Sequence, residues 1–378
     1  MRHKVWLALI CVALTVTYLA VTTSSVLSRH EPPAPSQVSS KQVSAEVRAA
    51  LDSHLMGYLV KDIALRHWRL FAQEVKCTGV EATDTYYSAT YEVHRVHALN
   101  CSSAAEWPVV KGRMAYMKDH GSSLTDVQRA LLQREVDMWI EDITSYIRDP
   151  QDCYDFLKVV GLTGPGGTID PATLRVYGQG PEGDYIALPL SQIPSSQEVE
   201  RVAYASMDEL LASAAVGKMN DIGIMSLYNR LAARDYANRW TSNPTTYKCN
   251  GSNPGCIQDD TKYNNAVYEH HCCNDCANFV SQALRSGGIP EDTVWKPASD
   301  TWEIVPYLVG YMTTMDVLRT GTLGTCVAGY PVQTSSTHIV LMVYNDGVTE
   351  KYSAHTSDRL QANWYHPPGA TYYTVTTN

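Results

Sequence analysis

Cys276 lies in Asn274-Asp275-Cys276-Ala277-Asn278-Phe279-Val280-Ser281-Gln282-Ala283-Leu284, a stretch closed by Gly287-Gly288. Cys276, Phe279, Val280, Ala283 and Leu284 recur at helical spacing and make one face apolar. Asn274 and Asp275 are good N-caps and the double glycine is a good stop, so the pattern predicts a helix with Cys276 in its first turn. There the unpaired backbone N–H groups and the helix dipole favour a thiolate, and nucleophilic attack is the chemistry such a cysteine can do. A lone cysteine at a helix start is more often a small buried hydrophobe. A base changes that balance. His338 opens the β-branched, apolar run His338-Ile339-Val340-Leu341-Met342-Val343-Tyr344, which the turn Asn345-Asp346-Gly347 closes before the next strand, Val348 to His355. An imidazole held on a strand can take a thiol proton and return it to a leaving amine. The backbone N–H of Cys276 would supply part of an oxyanion hole.

The elements that must position these groups follow from the chain in order. Arg2, His3 and Lys4 precede an apolar run from Val5 to Val21, which reads as a signal peptide or signal anchor over residues 1–29. Residues 30–44 are a polar, proline-containing linker. A helical pattern runs from Ser44 to about Glu74 through Val47, Leu51, Leu55, Leu59, Ile63 and Trp68. Thr85 to Leu99 alternates like a strand, and Thr125 to Ile147 is a second amphipathic helix. Residues 161–198 are rich in glycine and proline and read as loop, with a short strand near Tyr185 to Leu190; no phosphate-loop ending follows the glycines. Residues 45–200 are thus expected to form an α+β amino-terminal domain of unknown role, and residues 222–378 a second domain. His94 and His97 read as surface or hairpin residues.

A formal net charge of −9 argues against a nucleic-acid footprint. Nothing in the pattern calls for a cofactor. Ten cysteines are present. Setting aside Cys11 and Cys276 leaves Cys77, Cys101, Cys153, Cys249, Cys256, Cys272, Cys273 and Cys326, an even set that suits a disulfide framework in an exported chain. Cys77 is expected to pair with Cys101, and Cys249 with Cys256 or with Cys272 or Cys273. The rival reading makes Cys273 and Cys276, in Cys-x-x-Cys spacing, part of a structural zinc site with Cys249, Cys256, His270 or His271. Zinc there would remove the nucleophile.

A nucleophile on a helix and a histidine at the start of a strand is the layout of papain-like cysteine hydrolases. The carboxy-terminal part resembles the Putative amidase domain family, in the fold group that includes the NlpC/P60 and CHAP hydrolases. The resemblance rests on Tyr228-Asn229-Arg230, Ala232-Ala233, Tyr236-Ala237, Asn274 to Gln282, Trp302, Thr337-His338-Ile339-Val340 and Tyr352 to Arg359. It covers roughly residues 225–365. It implies Cys276 as nucleophile and His338 as base, with His355 in the third, orienting role and Asp358 as the other candidate. It also implies an α+β fold in which the nucleophile helix packs on an antiparallel sheet, with peptide or amide substrates such as cell-wall peptides. Two positions depart from the family: Thr337 stands where an aspartate often precedes the histidine, and Gly324-Thr325-Cys326 replaces a Gly-Asp turn. The expected protein is a secreted or membrane-anchored thiol amidohydrolase with its carboxy-terminal domain outside the cytoplasm. The alternative is a zinc- or disulfide-stapled binding module that keeps the fold without turnover.

Overall fold

A computed structural model describes residues 43–216, 228–243, 260–271 and 274–376. All of them fall in one compact unit, Ser40–Asn378; the expected targeting segment and nearly all of the linker lie outside the described residues. Ser44 caps the first helix, α1 (Ala45–Leu65), which buries Val47, Leu51, Leu55 and Leu59. The helical pattern read as far as Glu74 stops at Leu65. His67 takes a left-handed φ of 54°, and β1 (Trp68–Ala82) begins immediately after it. Pairing decides this boundary, because β1 lies antiparallel to β2 (Tyr86–Leu99) over nearly its whole length, from Trp68 opposite Leu99 to Ala82 opposite Tyr87. A ladder of that length outweighs the helical preference of a few residues.

α2 (Pro108–His120) and α3 (Asp126–Arg148) follow. Thr125 and Gln128 form a reciprocal capping box at the start of α3, which buries Leu132, Val136, Trp139 and Ile143. β3 (Gln151–Leu162) then lines up on the far side of β2. The glycine- and proline-rich region read mostly as loop contains a small hairpin, β4 (Arg175–Gln179) and β5 (Tyr185–Ala187), with β4 paired to β3. After α4 (Ser196–Val216) come α5 (Arg230–Arg239), α6 (Cys276–Ser286), α7 (Asp300–Glu303) and α8 (Val305–Thr314). β6 (Leu318–Gly321), β7 (Pro331–Ser335), β8 (His338–Asn345), β9 (Glu350–Ala354), β10 (Arg359–Asn363) and β11 (Thr371–Val375) complete the described strands.

The fold is α+β around an open mixed sheet of order β1-β2-β3-β10-β9-β8-β7-β11-β6, with the β4–β5 hairpin branching from β3. Strands from residues 45–200 and from residues 222–378 meet where β10 runs parallel to β3, Ala362 opposite Tyr154. Buried polar contacts tie this junction. Arg95 reaches both Asp62, at 2.6 Å, and Asp155, at 2.5 Å. Lys351 on β9 is fully buried and donates to the carbonyl of Asp152 at 2.7 Å. Its Nζ also lies 2.8 Å from His97 Nε2. His97, expected as a surface or hairpin residue, lies in the β1–β2 hairpin but is wholly buried, and it stacks on Trp68 at 3.7 Å between ring centroids. Buried charges are stable only when paired in this way.

The expected Cys77–Cys101 disulfide is overturned. Both thiols are free, as are Cys153 and Cys326 in the core. Cys77 pairs across from Tyr91, whereas the end of β2 beside Cys101 pairs with Trp68. Nine residues of strand separate those positions on β1, on the order of 30 Å. A disulfide requires Cα atoms closer than about 7 Å. Cys249, Cys256, Cys272 and Cys273 lie outside the described residues.

Candidate active site

α6 forms where the sequence places it, and every residue from Cys276 to Leu284 is buried. Its polar members make a closed network around the helix start. Asn278 Oδ1 accepts from Gln282 Nε2 at 2.9 Å and from Trp302 Nε1 at 2.7 Å. Its Nδ2 donates to the Glu269 carbonyl at 2.8 Å and to Asp275 Oδ1 at 2.7 Å. Gln282 Oε1 takes the Tyr236 hydroxyl at 2.7 Å, and Ser281 donates to the Trp302 carbonyl at 2.9 Å. Asn278, Ser281, Gln282 and Trp302 therefore have a common structural cause. Each satisfies a buried polar group that would otherwise cost about 1–3 kcal/mol. At the other end Gly288 stops the helix with a φ of 101°.

Asp275 does not cap the helix with its side chain. The carboxylate is fully buried and turns away to accept from the backbone N–H of His271 at 2.9 Å and to meet His355 Nδ1 at 2.6 Å. The capping function passes to Thr356, whose hydroxyl oxygen accepts from the N–H of Asp275 at 2.9 Å and of Cys276 at 3.1 Å. Thr356 sits at a φ of 82°, a conformation costly for a β-branched residue, and the turn holds it there. The Cys276 amide assigned to an oxyanion hole is engaged by this hydroxyl. Thr356→Val keeps the branched shape and the backbone strain but removes the acceptor. Thermal denaturation is expected to show a loss of about 1–3 kcal/mol from the orphaned amides; an unchanged midpoint would mean that the hydroxyl does not serve as the cap.

The sulfur of Cys276 lies 3.5 Å from the Thr337 carbonyl oxygen, and the Ile339 N–H also bonds it. His338 is thus the residue between the two whose backbone groups meet the sulfur, at the first position of β8. Its imidazole is buried, and Nε2 has no hydrogen-bond partner among the described residues. Burial pushes the ring's pKa down from 6.5 to about 4, with the charge of Glu182 opposing that shift. Burial likewise pushes the Cys276 thiol upward, against the Ile339 N–H, the Thr356 hydroxyl and the Ala277 N–H, which favour the thiolate. The expectation of a depressed thiol is corrected: a sulfur 3% exposed loses more hydration than the helix start returns.

His355 does not stand beside His338 as a hydrogen-bonded orienter. Its Nδ1 faces Asp275, and its Nε2 lies 2.5 Å from the Trp240 carbonyl. The ring packs between Tyr263 and Phe279, at 4.2 and 4.1 Å between centroids. Asp358 is buried behind it and accepts the Tyr263 hydroxyl at 2.8 Å. Burial raises the Asp358 pKa, while the nearby His355 and the Tyr263 hydrogen bond hold it down. His355 and Asp358 belong to the support of Asp275, one residue ahead of the nucleophile. Sequence reasoning took Asp275 for a cap, passed over Thr356 and had no signal for Glu182.

His270 stacks on Tyr263 at 4.1 Å, and His271 pairs with Glu303 at 2.9 Å. Among the described residues no three His, Cys, Asp or Glu side chains gather to hold a metal; Cys273 of the rival zinc set lies outside them.

The candidate site thus offers a buried thiol at a helix start, an imidazole at a strand start and a carboxylate-supported helix N-terminus. Residues 227–325 match the family described as Putative amidase domain. The match contains Cys276, Asn278 and Trp302 and ends before His338 and His355. A 38-residue stretch is 50% identical to the uncharacterized protein YjcM of Bacillus subtilis (strain 168), covering 10% of this chain and 9% of that protein. No solved structure matches. The family description assigns amide hydrolysis, that is, cleavage of a C–N bond, in general terms.

Proposed function

We propose that the chain is a cysteine amidase that cleaves an amide or peptide bond through Cys276 and His338. The observation that carries this reading is that the Cys276 sulfur meets the Thr337 carbonyl, one residue before His338, whose buried Nε2 has no partner among the described residues. A buried imidazole nitrogen with no partner has a vacant acceptor position, and the proposed mechanism assigns the thiol proton to it. In the reaction, Nε2 takes the Cys276 proton as the sulfur attacks the carbonyl carbon and the S–C bond forms. The same proton then passes to the amide nitrogen as the C–N bond breaks and the amine leaves. Water, deprotonated by His338, cleaves the thioester to a carboxylic acid and regenerates the thiol. Thr356, bonded to the Cys276 amide, must yield or share that donor when the substrate oxygen arrives. His355 acts at a distance, by holding Asp275 and so the start of α6.

We read the arrangement of α6 on β8 as papain-like, and peptide-type substrates, cell-wall peptides included, as the natural class. Export rests on the basic and apolar amino-terminal segment alone, since the described cysteines form no disulfide. No described helix is long and apolar enough to cross a membrane.

The pH dependence tests the reading. His338 must be neutral to accept a proton, and its pKa of about 4 lies below the ordinary 6.5. The acid limb of kcat/KM, or of Cys276 alkylation by iodoacetamide, is therefore expected near pH 4. A limb between 6 and 7 would contradict the buried base. The same shift makes folding acid-sensitive. A ring that binds its proton more weakly when folded contributes stability that is fully present above about pH 6.5. That contribution, about 3 kcal/mol, is lost as pH falls toward 4. The binding-module alternative predicts a Cys276 inert to alkylation in the folded protein.

A further inference from the structure

We propose that Glu182, delivered by the β4–β5 turn, is the carboxylate that serves His338, so that a segment outside the family-matched region completes the site. This rests on the reading of His338 as the base. The turn Gly180-Pro181-Glu182-Gly183-Asp184 is held in shape by the N–H of Gly180 donating to the Asp184 carbonyl at 2.7 Å and by the φ of 88° at Gly183. It is anchored to the carboxy-terminal strands at two points. Arg359 Nη2, at the start of β10, donates to Gln179 Oε1 at 2.8 Å. The Thr334 hydroxyl on β7 donates to Glu182 Oε1 at 2.7 Å. Thr334 is buried and lies within 3.4 Å of the His338 carbonyl oxygen, across the β7–β8 hairpin. The carboxylate is thereby fixed over the strand pair that carries the imidazole.

The other charged groups at this end of the sheet have their own partners. Asp275 is taken by His355, Asn278 and the His271 N–H, and Asp358 by Tyr263. Arg359 serves Gln179 and the Asp358 carbonyl, and Glu350, farther along β9, lies 3.3 Å from His366. Glu182 is the acid whose charge reaches His338, where it favours the protonated ring against burial. That is the work of an orienting acid: it makes a buried imidazole a better proton acceptor. Glu182 is itself exposed, so water screens its charge and the effect is modest. Glu182 is a positioning residue.

The test is a titration of the full-length protein labelled with 13C-histidine, with His338→Gln identifying the signal. Glu182→Gln is expected to lower the His338 midpoint by about 0.3–1 unit and to slow Cys276 alkylation by iodoacetamide at pH 7 several-fold. Glu182→Asp, which keeps the charge, should restore most of both. Asp184→Asn, in the same turn, should leave the midpoint where it is. An unmoved midpoint in Glu182→Gln, or an equal shift in Asp184→Asn, overturns the assignment. If the midpoint shifts but Cys276 never reacts, the role of Glu182 beside His338 stands and the amidase reading fails.

Discussion

Cys276→Ala is expected to abolish amide hydrolysis, lowering kcat by more than about 10⁴-fold, because the proposed acyl intermediate forms on its sulfur. The substitution is small and the site is buried at a helix start. The variant should therefore fold, and circular dichroism and a thermal midpoint near wild type would show that it has. His338→Ala is expected to cost on the order of 100-fold or more, the usual effect of removing a general base. The two losses should not add in a double variant, since thiol and base act on the same proton and residues that act as a unit are grossly non-additive. His355→Ala is a different experiment. Both of its ring nitrogens serve Asp275 and the Trp240 carbonyl, so its loss should appear first as instability and only through that as lower turnover. Release of free amine from a set of aminoacyl and peptidyl 4-nitroanilides measures all four variants. Turnover surviving in Cys276→Ala would end the thiol mechanism.

Asp275→Ala is expected to lower stability by about 1–3 kcal/mol for each buried donor left unsatisfied. The carboxylate is fully buried and ends three polar arms: the His271 N–H, the Asn278 amide and His355 Nδ1. Alanine leaves the His271 N–H and His355 Nδ1 without this acceptor in a dry setting, while the Asn278 amide keeps only the Glu269 carbonyl. Asp275→Asn should cost less, since its carbonyl oxygen still accepts from one arm, although its amide then faces the His355 ring. Urea denaturation with a common slope separates these values. A loss under about 1 kcal/mol for alanine would mean that water reaches the cluster and that the network does not hold the nucleophile helix.

Much of the local structure was legible in the residues themselves. The periodicity of Cys276, Phe279, Val280, Ala283 and Leu284 with the glycines beyond them determines α6, since a helix with one apolar face and a stop is a local property. The β-branched run from His338 and the Asn345-Asp346-Gly347 turn determine β8 and its hairpin for the same reason. α3 follows from its capping box and its apolar stripe. What the tertiary structure decided was everything that depends on distance across the fold. It ended α1 at Leu65, because β1 gains a full ladder with β2 that no local preference reveals. It kept Cys77 and Cys101 apart, because strand register and not cysteine parity sets which thiols can meet. It raised the thiol and lowered the imidazole, because burial is a property of the packed core and opposes the local field of a helix start. It turned Asp275 from a cap toward His355, and it brought Glu182 out of a glycine-rich turn to the strands of His338. Those partners lie 80 residues apart for Asp275 and His355, and 152 for Glu182 and Thr334. No spacing rule reaches so far, and only the closing of the sheet through β3 and β10 brings them together.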